Sequence, residues 1–224
     1  MTPVAVVIPA FNEEDRIGAT VRAAATLPGV DEVIVVDDGS RDGTGDAARD
    51  AGASVIRHPR NRGKAAAMTT GGRRVFQGNA GRLALFLDAD LGGTAAEAGP
   101  LITPVADGEA DMTIAAFTER VKRGGHGFVV RLSAAGIRRA TGWTPLQPLN
   151  GQRCLSRKAF GDALPLARGF GAETAMSIDL ARKGLRIREV EVPLAHRATG
   201  SDWRSQLHRL RQFADVAWAL AWRL

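Results

Sequence analysis

Asp88 and Asp90 stand one residue apart at the end of an apolar run, Leu83-Ala84-Leu85-Phe86-Leu87-Asp88-Ala89-Asp90. Two carboxylates set this close repel unless a cation or proton sits between them, and Mg2+ or Mn2+ is the usual solution. Such a hard ion grips phosphate oxygens. Pro9-Ala10-Phe11-Asn12-Glu13 and Asp37-Asp38-Gly39-Ser40 also follow apolar runs. Asn61-Arg62-Gly63-Lys64 sets cations beside a glycine at a helix start, a place to meet a diphosphate.

The elements that must position these groups alternate. Apolar, β-branched runs at 4–8, 33–36, 54–56, 83–87 and 112–116 read as strands. Helix-like segments at 13–26, 42–51 and 64–76 lie between them, with a weaker one at 94–105 disturbed by Pro100 and Pro104. Alternation of this kind implies an α/β fold, a mostly parallel sheet covered by helices on both faces. Ligands then bind beyond the carboxyl ends of the strands, where the polar clusters fall. Further on, a glycine-rich hinge at 123–127 precedes a helix to about Ala140; a short strand at 152–155, a helix at 174–182 and a strand at 186–192 follow. A single domain is expected: a nucleotide-sugar half over 1–116, an acceptor-side half over 117–200, and an amphipathic helix over 201–224.

The 224 residues are 45% hydrophobic and 24% charged, which suits a folded globular chain. The net charge of +6 suits an anionic partner such as a nucleotide or phospholipid. Nucleic acid is excluded as the expectation: Tyr is absent and only 5% of residues are aromatic, so the cations lack interleaved stacking platforms. The lone cysteine, Cys154, rules out an intramolecular disulfide and fits a reducing compartment. An apolar start broken by Pro3 and Pro9 lacks the basic opening of a secretory signal. No run of about 18 apolar residues is present. The expected location is the cytoplasm, with peripheral attachment to the cytoplasmic face of a membrane left open.

Val6-Val-Ile-Pro-Ala-Phe-Asn-Glu-Glu, Val35-Val-Asp-Asp-Gly-Ser-Arg-Asp-Gly-Thr, Asn61-Arg-Gly-Lys and Phe86-Leu-Asp-Ala-Asp-Leu resemble, in order and spacing, a family 2 glycosyltransferase of the GT-A (Rossmann-like) fold. Gly169-Phe-Gly-Ala-Glu-Thr, Gly184-Leu-Arg-Ile-Arg-Glu-Val and His196-Arg-Ala-Thr-Gly-Ser more loosely resemble the polyprenyl-phosphate (dolichyl-phosphate) sugar transferases. The resemblance implies inverting transfer of a hexose from a nucleotide diphosphate sugar, with Mg2+ or Mn2+ as cofactor. It implies donor binding by Pro9, Ala10, Phe11, Asn12, Glu13, Asp38, Gly39, Lys64, Asp88, Ala89 and Asp90, with Asp38 holding a base or ribose edge and Asp37 the more structural of that pair. Metal ligation falls to Asp88 and Asp90. Gly92 stands where these enzymes often carry a further polar ligand, which makes His196 a candidate third ligand.

On the acceptor side the resemblance assigns Glu173 as the carboxylate that removes a proton from an acceptor hydroxyl; a phosphate monoester needs no base. Arg120, Arg131, Arg197 and Ser201 match positions that contact an acceptor phosphate. Polyprenyl phosphate is the expected acceptor; a small soluble phosphorylated acid is the alternative, as is a silent nucleotide-sugar-binding module. Gly200-Ser-Asp-Trp-Arg departs from the lysine expected after Gly-x-Ser, which weakens the lipid assignment. In the tail, Trp203, Leu207, Leu210, Phe213, Ala217, Leu220 and Leu224 recur at three and four, with Arg204, His208, Arg209 and Arg211 on other faces. That basic amphipathic helix suits a membrane interface, a partner in a homodimer, or its own domain.

Overall fold

The computed structural model describes residues 1–77, 81–117, 127–194 and 203–224, with side chains in the last stretch described from Gln212 onward. Its core is a seven-stranded sheet in the order β3-β2-β1-β4-β6-β5-β7. The strands are β1 (Val4–Ala10), β2 (Val30–Asp37), β3 (Ser54–Arg57), β4 (Leu83–Phe86), β5 (Met112–Phe117), β6 (Arg153–Leu155) and β7 (Ile187–Val192). All pairings are parallel except those of β6, which runs antiparallel to β4 and β5. The expected mostly parallel α/β sheet is therefore the observed one.

The helices are α1 (Glu14–Ala25), α2 (Thr44–Asp50), α3 (Lys64–Phe76), α4 (Thr103–Ala106), α5 (Gly127–Thr141), α6 (Arg157–Ala163), α7 (Gly171–Arg182) and α8 (Trp203–Ala221). β1 shows why the strands read as unbroken apolar runs. Val4, Val6 and Ile8 enter one core layer, with α1 and the segment after β4, while Ala5 and Val7 enter the other, with α3 and α6. Both faces are buried, so neither alternates with polar residues. Gly71 and Gly72 let α3 lie close on that second face: a Cβ on them would fall 2.3 Å from Val7 Cγ1 and 2.2 Å from Phe160 Cζ.

One expectation needs correcting, and one helix was not expected. The helix expected at 94–105 is a 3-10 segment, Gly92–Leu101, followed by the four-residue α4, because Pro100 and Pro104 offer no N–H to an α-helical ladder. α6 gave no helical signal in the sequence; Ser156 caps it by accepting a hydrogen bond from Ala159 N at 3.2 Å.

The tail helix faces otherwise than its periodicity suggested. Val216, Ala219 and Leu220 pack inward with Val129, Ile137 and Ile178, whereas Phe213 and Leu224 are exposed. The reason is local fit. Ala219 meets Gly171, and Leu220 fills the space left by Gly136, so α8 seats on α7 and α5 through small residues. Arg223 reaches back to Asp179 at 2.6 Å. At least from Gln212 onward, α8 docks on its own domain.

Candidate active site

The site assembles where β1, β2 and β4 end. After Ala10, the chain turns through Asn12 in the left-handed region at φ 57°, and Glu13 stands at the N-terminal boundary of α1. This turn is laced to the one after β2. Asn12 N donates to Ser40 Oγ at 3.0 Å, Arg41 N to Asn12 Oδ1 at 2.9 Å, and Glu13 N to Thr44 Oγ1 at 2.8 Å. Pro9, Ala10, Phe11, Asn12 and Glu13 thus form one rim with residues 38–44, and Phe11 is exposed on it.

Asp37 is buried and accepts from Ser40 N at 2.8 Å, with Arg57 Nε 3.4 Å from its second oxygen, in keeping with a structural part. Asp38 departs from the expected open carboxylate. It is 3% exposed, and its oxygens accept from His58 Nδ1 at 2.6 Å, Arg62 N at 3.0 Å and Gly63 N at 2.7 Å. A buried carboxylate must be satisfied by donors, and here backbone N–H groups of the 61–64 turn supply them. Asp38 therefore clamps that turn to β2. Gly39, at φ 77°, passes so close beneath that a Cβ would lie 2.6 Å from the Arg60 carbonyl carbon.

With the turn fixed, α3 begins at Lys64 and its side chain crosses to the paired aspartates. Lys64 Nζ lies 2.6 Å from Asp88 Oδ1 and 3.3 Å from Glu173 Oε1. Burial works against its charge, but Asp88 and Glu173 outweigh it and raise the ammonium above the ordinary lysine range. Glu173 is buried in the first turn of α7, so one lysine ties the donor-side aspartate to the acceptor-side carboxylate. Asp88 Oδ2 accepts from Gln152 Nε2 at 2.6 Å. The Asp88–Asp90 turn is held from α1: Thr20 Oγ1 donates to Ala89 O at 2.8 Å and accepts from Gly92 N at 2.8 Å, while Arg16 Nη1 donates to Asp90 O at 3.4 Å.

Several residues of this site carried no signal in the sequence. Gln152 and Gly151 arrive because the antiparallel β6 inserts beside β4; a Cβ on Gly151 would lie 2.3 Å from Lys64 Nζ. Arg153 is fully buried, donating through Nε to Asn150 O at 2.8 Å and through Nη1 to Ser177 Oγ at 3.1 Å. Burial pulls its guanidinium down to about 10, with Glu173 and Glu189 acting against that fall. It props the 148–152 loop behind Asp88. Arg62 and Arg168, both exposed, line a cavity of about 390 Å3 between the outer side of α3 and the loop before α7, together with Ala65, Thr69 and Leu166.

Arg131 is exposed on α5, apart from the cluster of Lys64, Asp88 and Glu173. Its neighbours Val129 and Ser133 take the inward side of that helix. Arg120, His196, Arg197 and Ser201 lie outside the described residues. Among the described residues no three His, Cys, Asp or Glu side chains converge as a metal site. Asp88 and Asp90 nevertheless suit a hard cation, since the oxygens of Asp88 already draw one ammonium and one amide donor.

Comparison with known proteins agrees with this geometry. Residues 5–161 match the family model "Glycosyl transferase family 2". The chain is 32% identical over 211 residues to glycosyltransferase AglJ of Haloferax volcanii, covering 90% of this chain and 66% of that protein. It is 32% identical over 200 residues to glucosyl-3-phosphoglycerate synthase of Mycobacterium tuberculosis, covering 79% of this chain and 60% of that one. A Pseudomonas aeruginosa undecaprenyl-phosphate 4-deoxy-4-formamido-L-arabinose transferase is 29% identical over 225 residues, covering 95% and 63%. The chain thus spans somewhat under two thirds of the length of these relatives. A crystal structure of the M. tuberculosis synthase with Mn2+, UDP and phosphoglyceric acid superimposes with a TM-score of 0.78 at 29% identity, covering 99% of this chain and 78% of that one. The chain belongs to glycosyl transferase family 2.

Proposed function

We propose that the protein transfers a hexose, with inversion, from a nucleotide diphosphate sugar to a phosphate-bearing acceptor, polyprenyl phosphate at a membrane surface. The observation that carries the transfer is the convergence of Asp88, Lys64, Gln152 and Glu173 beyond the ends of β1, β2 and β4. Mg2+ or Mn2+, held by Asp88 and Asp90 with His196 as third ligand, supplies Lewis-acid stabilisation of the leaving diphosphate. The metal-bound UDP complexes of the M. tuberculosis synthase support that choice of cofactor.

Pro9 to Glu13 and residues 38–40 form the rim for the nucleoside, and Asp38 serves it indirectly by fixing the 61–64 turn. Lys64 lies where it can follow the diphosphate as the bond between sugar and diphosphate breaks and the electron pair leaves with phosphate. The acceptor oxygen forms the new bond at the opposite face of the anomeric carbon. A phosphate acceptor is already anionic, so Glu173 need not take its proton and instead holds Lys64 and the acceptor side in place. Arg62 and Arg168 join Arg120, Arg131, Arg197 and Ser201 as acceptor-phosphate candidates. The whole chain is read as one domain, 1–116 serving the donor and 117–200 the acceptor.

A second reading has a soluble acceptor of the phosphoglycerate type. It is favoured by likeness to the M. tuberculosis synthase in complex with phosphoglyceric acid, at a TM-score of 0.78 and 31% identity. The test is a matrix of UDP- and GDP-sugars with Mn2+ or Mg2+, read as nucleotide release with undecaprenyl phosphate, with 3-phosphoglycerate and with neither. Release stimulated by the lipid supports the first reading, and release stimulated only by phosphoglycerate supports the second. No release under any condition refutes both.

A further inference from the structure

α5 and α8 form an outer layer over α7. They run side by side in the same direction: the Phe128 and Phe213 rings lie 5.7 Å apart, and seven to eight residues on, Gly136 meets Leu220. Their inner sides are spent on one another and on α7. Their outer sides are not. Phe128 is 61% exposed, Trp218 56%, Trp222 71% and Leu224 59%, and Ala214, Ala217 and Ala221 lie among them on the outside of the described part of α8. The one aspartate of α8, Asp215, is turned to α7, where it accepts from Phe170 N at 3.1 Å.

Charge accompanies this apolar face. α5 carries Arg131, Arg138 and Arg139 and no acid, all three exposed and without an ion pair among the described residues. α8 carries Arg204, Arg209 and Arg211 by sequence against Asp215. Six arginines against one aspartate place +5 on two helices of a chain whose whole net charge is +6. Exposed tryptophans with exposed arginines on the adjoining helix are the composition of a headgroup interface, where the rings sit at the boundary and the cations meet anionic lipid. A second copy of the chain on this face would set the exposed arginines of α5 against cations of the same sign, which disfavours self-association.

We propose that the outer face of α5 and α8 docks on anionic lipid bilayers, in the plane of the interface, since no described helix is long and apolar enough to cross a membrane. Its purpose rests on the lipid-acceptor reading above: Asp215 holds the backbone three residues before Glu173, so the docked layer is joined to the acceptor side of the site.

The experiment uses the full chain without donor or acceptor, so its outcome is independent of transfer activity. Protein is co-sedimented with phosphatidylcholine vesicles, with and without a minority of phosphatidylglycerol, at low and high salt, and its oligomeric state is measured alongside. Binding to the anionic vesicles, reduced by salt and at least about tenfold weaker in Trp218→Ser/Trp222→Ser and in Arg131→Glu/Arg138→Glu, supports the proposal. The arginine variant decides the matter if the tryptophan variant fails to fold, because those arginines are exposed and their loss removes no buried group. Wild-type protein left in the supernatant at low salt overturns the proposal, as does undiminished binding by the variants. A dimer that the tryptophan changes dissociate, with no vesicle binding, overturns it in favour of a protein contact.

Discussion

Lys64 Nζ and Asp88 Oδ1 lie 2.6 Å apart, so an ammonium holds a place beside the carboxylate to which a divalent ion would come. The two cations compete for one oxygen. Lys64→Gln is therefore expected to bind Mn2+ more tightly in the absence of nucleotide, by about two- to tenfold, consistent with roughly 0.5–1.4 kcal/mol for a partly exposed ion pair. The same change should slow transfer, since the amide no longer neutralises phosphate. Free Mn2+ followed by electron paramagnetic resonance checks the first half; unchanged or weaker Mn2+ binding would count against the competition.

Gln152→Leu should act in the opposite direction. Its amide steadies Asp88 Oδ2 from a fully buried position. Losing a supporting hydrogen bond of this kind typically costs about 10- to 100-fold in metal affinity or activity. The same Mn2+ titration, run beside a melting curve, separates this loss from unfolding.

Asp38→Ala should behave as a folding defect rather than a simple loss of nucleotide affinity. It strands the Arg62 and Gly63 N–H groups and the His58 ring in a buried place, at a cost of at least about 2 kcal/mol. Denaturant unfolding measures this. Full stability with only a raised donor KM would restore Asp38 to direct nucleotide contact.

Burial pushes the Cys154 thiol up to about 12. Its folded value lies above its unfolded one, so this contribution to stability is complete below about pH 8.5 and is lost as pH rises toward 12. Thermal melts from pH 8 to 11 should fall more steeply for the wild type than for Cys154→Ala. A thiol reagent should also fail to label the native protein at neutral pH.

What could be read in the sequence was what is local. The buried strands announced themselves because both faces of β1 and β4 are covered, and the Asp88–Asp90 and 61–64 motifs lie at strand and helix ends where a linear reading can place them. What could not be read depends on pairing across the chain. β6 runs antiparallel between β4 and β5, and only that insertion brings Gly151 and Gln152 to Asp88 from 64 residues away. Asp37 and Asp38 are neighbours in sequence, yet Asp37 is taken up by Ser40 N and Arg57, and only the path of the 61–64 turn decides that Asp38 is spent internally as well. The tail's periodicity correctly marked a helix but not its seat, which is set by Gly136 and Gly171 on other helices.

The central claim is that Asp88 and Asp90 hold a divalent ion against a leaving diphosphate. Nucleotide release from the preferred donor, with Mn2+ supplied and then chelated, in wild type and in Asp90→Asn, tests it most directly. Wild-type release that chelation abolishes, and a fall of about a thousandfold or more in Asp90→Asn with an unchanged melting temperature, is the predicted result. Release that survives both chelation and the substitution would contradict it.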